Sequence, residues 1–200
     1  MSRNDLQPVY PPLTVFGNVR SAVTQLTIVD QMFRAGDSYT VLDSEGNVVV
    51  RAKAEEWSRK NKKTVYDGAN QELGEIKDKS LSMHNAVEFT TVTGKKLLKA
   101  SFHTGTDGKP MFRLKINDDL EIGVVGDWKL RAADIKTDKD TIIARAYHDN
   151  ERVSSNEKWK GGDPAVPERQ YKVDVAPGVD IGLMSVACIL WDMIHMHVSK

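Results

Sequence analysis

Pro177-Gly178-Val179-Asp180-Ile181-Gly182-Leu183-Met184-Ser185-Val186-Ala187-Cys188-Ile189-Leu190-Trp191-Asp192-Met193-Ile194-His195-Met196 is the only long apolar run in the chain, and its reading decides the fold. From Val179 to Met196 a helix would span about 27 Å at about 1.5 Å per residue. Its aliphatic and aromatic side chains cover every angle around the axis. A helix that is hydrophobic all round lies inside a protein or inside a membrane. Only eleven residues separate Asp180 from Asp192, whereas a span needs about twenty predominantly apolar ones. Insertion would also carry Asp192 to a costly depth. The run is therefore read as a core helix with no membrane span.

The rest of the chain must supply walls for that helix, and it reads as strands and turns. Leu26-Thr27-Ile28-Val29 is short and β-branched. Ser38-Tyr39-Thr40-Val41-Leu42 and Val48-Val49-Val50-Arg51-Ala52 flank Asp43-Ser44-Glu45-Gly46-Asn47, a turn cluster whose Gly and Asn tolerate positive φ. Thr64-Val65-Tyr66 and Leu73-Gly74-Glu75-Ile76 bracket a second turn, Asp67-Gly68-Ala69-Asn70. Val87 to Val92 and Lys96 to Phe102 flank a third, Thr93-Gly94-Lys95, and Asp107-Gly108 marks another reversal. Phe112-Arg113-Leu114-Lys115-Ile116 sets three apolar residues on one face and both cations on the other, as does Leu120-Glu121-Ile122-Gly123-Val124 in kind. Trp128-Lys129-Leu130-Arg131 repeats the alternation briefly; Thr141 to Tyr147 and Tyr171 to Val175 supply the last strands, with a polar loop over 150–169 between them.

That makes about a dozen strands at hairpin spacing, with no βαβ alternation. Around a helix without a polar face, such strands should close. The predicted fold is mainly β: a single closed antiparallel β-barrel of about twelve strands around a central buried C-terminal α-helix. Residues 21–200 form the barrel domain. Residues 1–20, with Pro8, Pro11 and Pro12, form a loosely ordered arm laid over it by Val15 and Phe16.

Composition narrows the function classes. The 200 residues suit one domain. Lys+Arg and Asp+Glu both number 28, so the basic footprint of a dedicated nucleic-acid binder is missing and no nucleic-acid partner is expected. Cys188 is the single cysteine, so nothing points to an oxidising compartment. No secretory signal, prenylation motif or peroxisomal tripeptide is recognised, and a cytoplasmic location, peripheral to a membrane or nuclear, is expected.

Chemistry is sparse. The histidines, His84, His103, His148, His195 and His197, form no spaced ligand set, and one cysteine cannot build a zinc site. Neither a metal nor a cofactor is expected, and no catalytic residue is assigned. Asp192 and His195 are neighbours on the helix; a carboxylate neutralised by an adjacent imidazole is preferred over an acid–base pair. Asp180 reads as a backbone cap that complements the helix dipole. Gly178 and Gly182 read as a place of close approach to a strand, and Cys188 as a buried inert thiol. The outward-looking feature is Arg59-Lys60-Asn61-Lys62-Lys63, a basic loop, with Lys95 and Lys96 as a smaller candidate. Such cations could meet anionic lipid headgroups at about 1 kcal/mol each.

Tyr171-Lys172-Val173-Asp174-Val175-Ala176-Pro177-Gly178-Val179-Asp180, followed by an apolar helix and Asp192, resembles the closing motif of the LURP-one-related (LOR) proteins. These belong to the Tubby C-terminal-like superfamily, which also contains the phospholipid scramblases. Tyr39 to Asn47 looks like the family's first hairpin, and Tyr66-Asp67 with Leu73-Gly74-Glu75-Ile76 looks like its second. Val125-Gly126-Asp127-Trp128, with Ile135 and Ile143-Ala144-Arg145, is similar to its mid-domain segment. The resemblance implies a twelve-stranded barrel around a C-terminal helix. Trp191, Met193 and Met196 are bulkier than the small aliphatics associated with the family, which would narrow any internal cavity. Tubby domains bind phosphatidylinositol bisphosphate through basic side chains on the barrel. By that likeness the chain is expected to be a non-enzymatic binding or tethering module for anionic membrane phospholipid or a protein partner. Arg59, Lys60, Lys62, Lys63, Lys95 and Lys96 are then the headgroup candidates. A scramblase-like lipid-handling protein is the alternative, ahead of a small-ligand-binding protein or enzyme.

Overall fold

The computed structural model describes residues 6–31, 38–54, 62–78, 86–104, 110–117, 119–128, 130–147 and 169–198. Within them lie β1 (Thr24–Gln31), β2 (Ser38–Leu42), β3 (Val48–Ala54), β4 (Lys62–Asp67), β5 (Glu72–Asp78) and β6 (Ala86–Thr91). There follow β7 (Lys96–Thr104), β8 (Pro110–Ile116), β9 (Leu120–Asp127), β10 (Ala132–Thr137), β11 (Ile142–Tyr147), β12 (Arg169–Val175) and one helix, α1 (Ile181–Val198). Each strand pairs antiparallel with its neighbours in sequence, and β1 also pairs with β12, Thr24 opposite Val175 and Ile28 opposite Tyr171. The sheet is a closed twelve-stranded barrel, and α1 fills it.

Every residue of α1 from Ile181 to Ile194 is buried. The inward strand positions include Ala52, Ala100, Ala144 and Ala146, all at most 1% exposed. Small wall residues leave the lumen to the bulky side chains of the helix, which is how an interior reaches close packing. Among the described residues no helix is long and apolar enough to cross a membrane.

One turn device recurs. In the β2–β3, β4–β5, β6–β7 and β10–β11 turns the fourth residue is left-handed: Gly46, Asn70, Gly94 and Asp140. Its N–H donates to the carbonyl three residues back, and the register shifts by one beside each turn. This is a type I turn followed by a bulge, which matches the strands' twist. A related turn, without the register shift, overturns one strand reading. Trp128 to Arg131 is a turn: Arg131 is left-handed at φ 52°, its N–H donates to the Trp128 carbonyl, and Asp127 Oδ1 accepts from Leu130 N. The strand expected there is instead β10, where Ala133 and Ile135 face inward between polar residues too few in apolar neighbours to stand out. The polar stretch 150–168 and the Asp107-Gly108 reversal lie outside the described residues.

Both ends of α1 are tied by a carboxylate. At the end where the helix enters, Asp180 Oδ1 accepts from Gly182 N at 2.9 Å and Leu183 N at 3.3 Å, the expected cap. Its second oxygen accepts from the backbone of the arm: Val15 N at 2.9 Å, Phe16 N at 2.6 Å and Gly17 N at 2.9 Å. The arm is thereby held more firmly than its prolines suggest. Val9 N donates to Pro177 O and Leu13 N to Gly178 O, Leu6 is buried, and the Phe16 ring meets Phe89 edge-on at 5.7 Å. Gly178 and Gly182 make their close approach to this arm rather than to a strand. A Cβ on Gly178, at φ 83°, would fall 2.5 Å from the Val9 carbonyl oxygen, and one on Gly182 would crowd Phe16.

At the other end Asp192, 3% exposed, receives Arg131 Nη2 at 2.7 Å, Trp128 Nε1 at 3.0 Å and the Tyr171 hydroxyl at 2.9 Å. The Arg131 guanidinium lies 4.2 Å from the Tyr171 ring centre and 4.9 Å from that of Trp128. Burial is the largest influence and opposes its charge, but the Asp192 carboxylate together with the neighbouring Tyr171 and Cys188 raises its pKa on balance. Arg131 joins this carboxylate where the sequence pointed to His195 alone. The counter-charge comes from a turn sixty-one positions upstream, and the His195 ring packs edge-on against Phe112 at 6.3 Å.

Three outcomes are expected. A chain ending at Val175 loses a filling whose side chains are each worth about 1.5–3 kcal/mol, and differential scanning calorimetry should show no cooperative transition. Asp180→Ala leaves the arm's amides unpaired, costing about 3 kcal/mol; hydrogen exchange at residues 15–17 should accelerate more than in the sheet. Asp192→Ala strands a buried cation and should cost about 3–5 kcal/mol in urea unfolding, whereas Asp192→Leu with Arg131→Met should recover most of it. Additive losses in that pair would show that the ion pair is not the source.

Candidate functional site

Alternation along the strands places one set of side chains outside the barrel, and charge divides unevenly among them. From β3 to β8 the outward positions carry Arg51, Lys53, Lys62, Lys77, Lys96, Lys99, Arg113 and Lys115. Against these eight cations stand Glu72, Glu75 and Glu88, with Glu121 on the adjoining β9. The remaining wall balances Lys136, Arg145 and Lys172 with Asp127, Asp134 and Asp174. The turns at the helix-entry end are acidic, with Asp43, Glu45, Asp67, Asp119, Asp138 and Asp140 against Lys95 and Lys139. A chain of zero net charge thus presents a cationic flank and an anionic end.

Within the flank the carboxylates are engaged. Glu75 takes Lys62 Nζ at 2.6 Å and Lys77 Nζ at 3.0 Å, and hydrogen bonds from Lys62 and Lys77 hold it below the ordinary carboxylate range. Glu121 takes Arg113 at 2.7 Å, and Glu88 takes Lys96 at 3.4 Å. Lys53 lies 5.3 Å from the Tyr66 ring centre. Lys99 and Lys115 stand directly opposite each other on β7 and β8, both exposed, with no ion pair among the described residues. Like charges facing across a ladder are unfavourable, and this pair is bracketed in register by Glu88 opposite Lys99 and Glu121 opposite Lys115.

The headgroup candidates read from the sequence do not gather at one place. Arg59 and Lys60 lie outside the described residues. Lys62 and Lys63 belong to β4, not to a loop: alternation turns Lys62 outward and Lys63 inward, 6% exposed and 5.6 Å from the Tyr39 ring centre. Lys95 and Lys96 lie by the β6–β7 turn, at the opposite end of the sheet from Lys62. Reading runs of like charge missed Lys99 and Lys115. Each occupies a single outward position in its own strand, and only the strand pairing brings them together.

The interior offers no activated nucleophile among the described residues. Burial pushes the Cys188 thiol well up and does the same to the Tyr171 phenol, whose proton is donated to Asp192. Outside, Ser101 Oγ lies 3.0 Å from His103 Nε2 on the exposed face of β7, with no third group orienting the imidazole among the described residues. No group of three His, Cys, Asp or Glu side chains that could hold a metal occurs among the described residues. A cleft of about 460 Å³ opens between Pro8, Tyr10 and Pro12 of the arm and Leu120, Lys139 and Thr141 of the barrel. Its size is that of a small-ligand site.

Comparison with known proteins follows this geometry. An X-ray structure of a protein from Arabidopsis thaliana superposes with a TM-score of 0.54 at 13% identity, covering 88% of this chain and 93% of that one, a likeness of fold. No curated protein matches the chain. The model of the LURP-one-related family matches residues 24–192, from β1 to the buried Asp192, and the chain belongs to that family.

Proposed function

We propose that this protein is a non-catalytic module that docks on anionic phospholipid surfaces through the outer face of β3–β8. The observation that carries the reading is the segregation of charge: eight outward cations on one flank of a chain with no net charge. A field of that kind attracts an anionic membrane at about 1 kcal/mol per Lys or Arg near the surface, and it acts within a Debye length of about 8–10 Å. Lys99, Lys115, Lys77 and Lys62 are the proposed headgroup contacts. Lys63 is turned inward, and Lys95 stands among the acidic turns. A scramblase-like role gains no support from a lumen filled by α1.

Vesicle co-sedimentation tests it, with phosphatidylcholine alone and with added phosphatidylserine or phosphoinositide. Binding should require the anionic lipid and fall steeply between 50 and 300 mM salt, about the range over which screening tightens. Lys99→Glu with Lys115→Glu should weaken binding at least about tenfold, by about 1 kcal/mol for each cation removed. Lys139→Glu at the acidic end should leave it unchanged. Equal behaviour on neutral and anionic vesicles would remove the membrane and leave a protein partner.

A further inference from the structure

The flank ends against an apolar hairpin tip. Val125 on β9 and Leu130 in the β9–β10 turn are 55% and 62% exposed, and both belong to the hairpin whose turn, among the described residues, lies at the helix-exit end. Val125 is two residues beyond Gly123, which pairs with Arg113 of the cationic flank, so it continues that outward face. Single exposed aliphatic residues are ordinary on protein surfaces. What sets this pair apart is how the tip is held. Leu130 is flanked by two inward anchors, Trp128 at 2% exposure and Arg131, both bonded to Asp192 inside the barrel. Asp127 Oδ1 accepts from Leu130 N at 2.9 Å, and Arg131 Nη1 donates to the Trp128 carbonyl at 3.1 Å. The described part of the tip is therefore preorganised: the N–H groups of Leu130 and Arg131 are satisfied locally, which lowers the cost of displaying the leucine.

We propose that this tip is an insertion finger, which places Leu130 and Val125 in the headgroup–acyl boundary of an anionic bilayer while the flank engages the headgroups beside it. The inference rests on the membrane reading given above. Cations alone give binding that salt reverses, whereas buried aliphatic surface gives a part that salt does not.

The sequence makes a site-specific probe simple. Cys188 is the single cysteine and is fully buried, so Leu130→Cys adds the accessible thiol for an environment-sensitive fluorophore. Ala69→Cys, in the acidic β4–β5 turn, serves as the control. With phosphatidylserine-containing vesicles, emission from position 130 should shift to the blue and be quenched by lipid-borne quenchers, while position 69 should show neither. Leu130→Glu should weaken vesicle binding about tenfold and abolish the fraction that survives high salt; an unchanged melting temperature separates this from misfolding. Sedimentation without a shift at position 130 overturns the finger and leaves the flank standing. Absence of wild-type sedimentation on any anionic vesicle overturns both.

Discussion

A helix without a polar face can exist in water only if something surrounds it completely, and that requirement governs this molecule. Side chains such as Ile181, Leu183, Ile189 and Leu190 are fully buried because twelve strands close around them. Closure solves the lateral problem and leaves two others, the ends. The first amides of any helix lack partners, and Asp192, a carboxylate towards the far end of this one, sits in a dry site. Asp180 settles the first by capping the helix with one oxygen and gathering the arm with the other. Arg131, Trp128 and Tyr171 settle the second.

The same requirement removes the interior from consideration as a binding chamber. In many smaller and larger barrels the lumen is the functional space. Here it is core. Two of the polar groups inside serve structure: the Ser185 hydroxyl donates to the Ile181 carbonyl at 2.7 Å, and the Cys188 thiol is held neutral by burial. On the proposed reading recognition falls to the outside, where each strand contributes one or two side chains and the sheet's register decides which of them meet. Lys99 facing Lys115 is a product of pairing, not of sequence adjacency.

That distinction explains what could be read from the chain alone. The apolar run from Val179 onward and the period-two alternation of Phe112 to Ile116 are local signals, and they were enough for the barrel, its strand number and the central helix. The turn at Trp128 misled because Trp and Leu alternate with cations there as they would in a strand. The deciding fact, a guanidinium drawn inward by Asp192, is a contact across the fold. The arm's attachment was hidden for the same reason. Backbone amides of Val15, Phe16 and Gly17 are anonymous in a sequence, and their acceptor lies more than 160 residues away. The outer flank was the least legible part. Runs of like charge drew attention to residues 59–63, of which Lys63 proves to face the core.

The order of elements along the chain has a consequence for how the molecule is made. The filling is α1, and it follows all twelve strands, while the strand that closes the cylinder, β12, pairs with the first. During synthesis β1 through β11 emerge before either the seam or the plug exists, so the nascent sheet carries an exposed apolar inner face and two free edges. Such intermediates aggregate readily, and long-range pairing makes closure slow. A barrel built in this way is complete only when its last strand has closed the seam and α1 has filled it, and until then the unfinished cylinder is the aggregation-prone form.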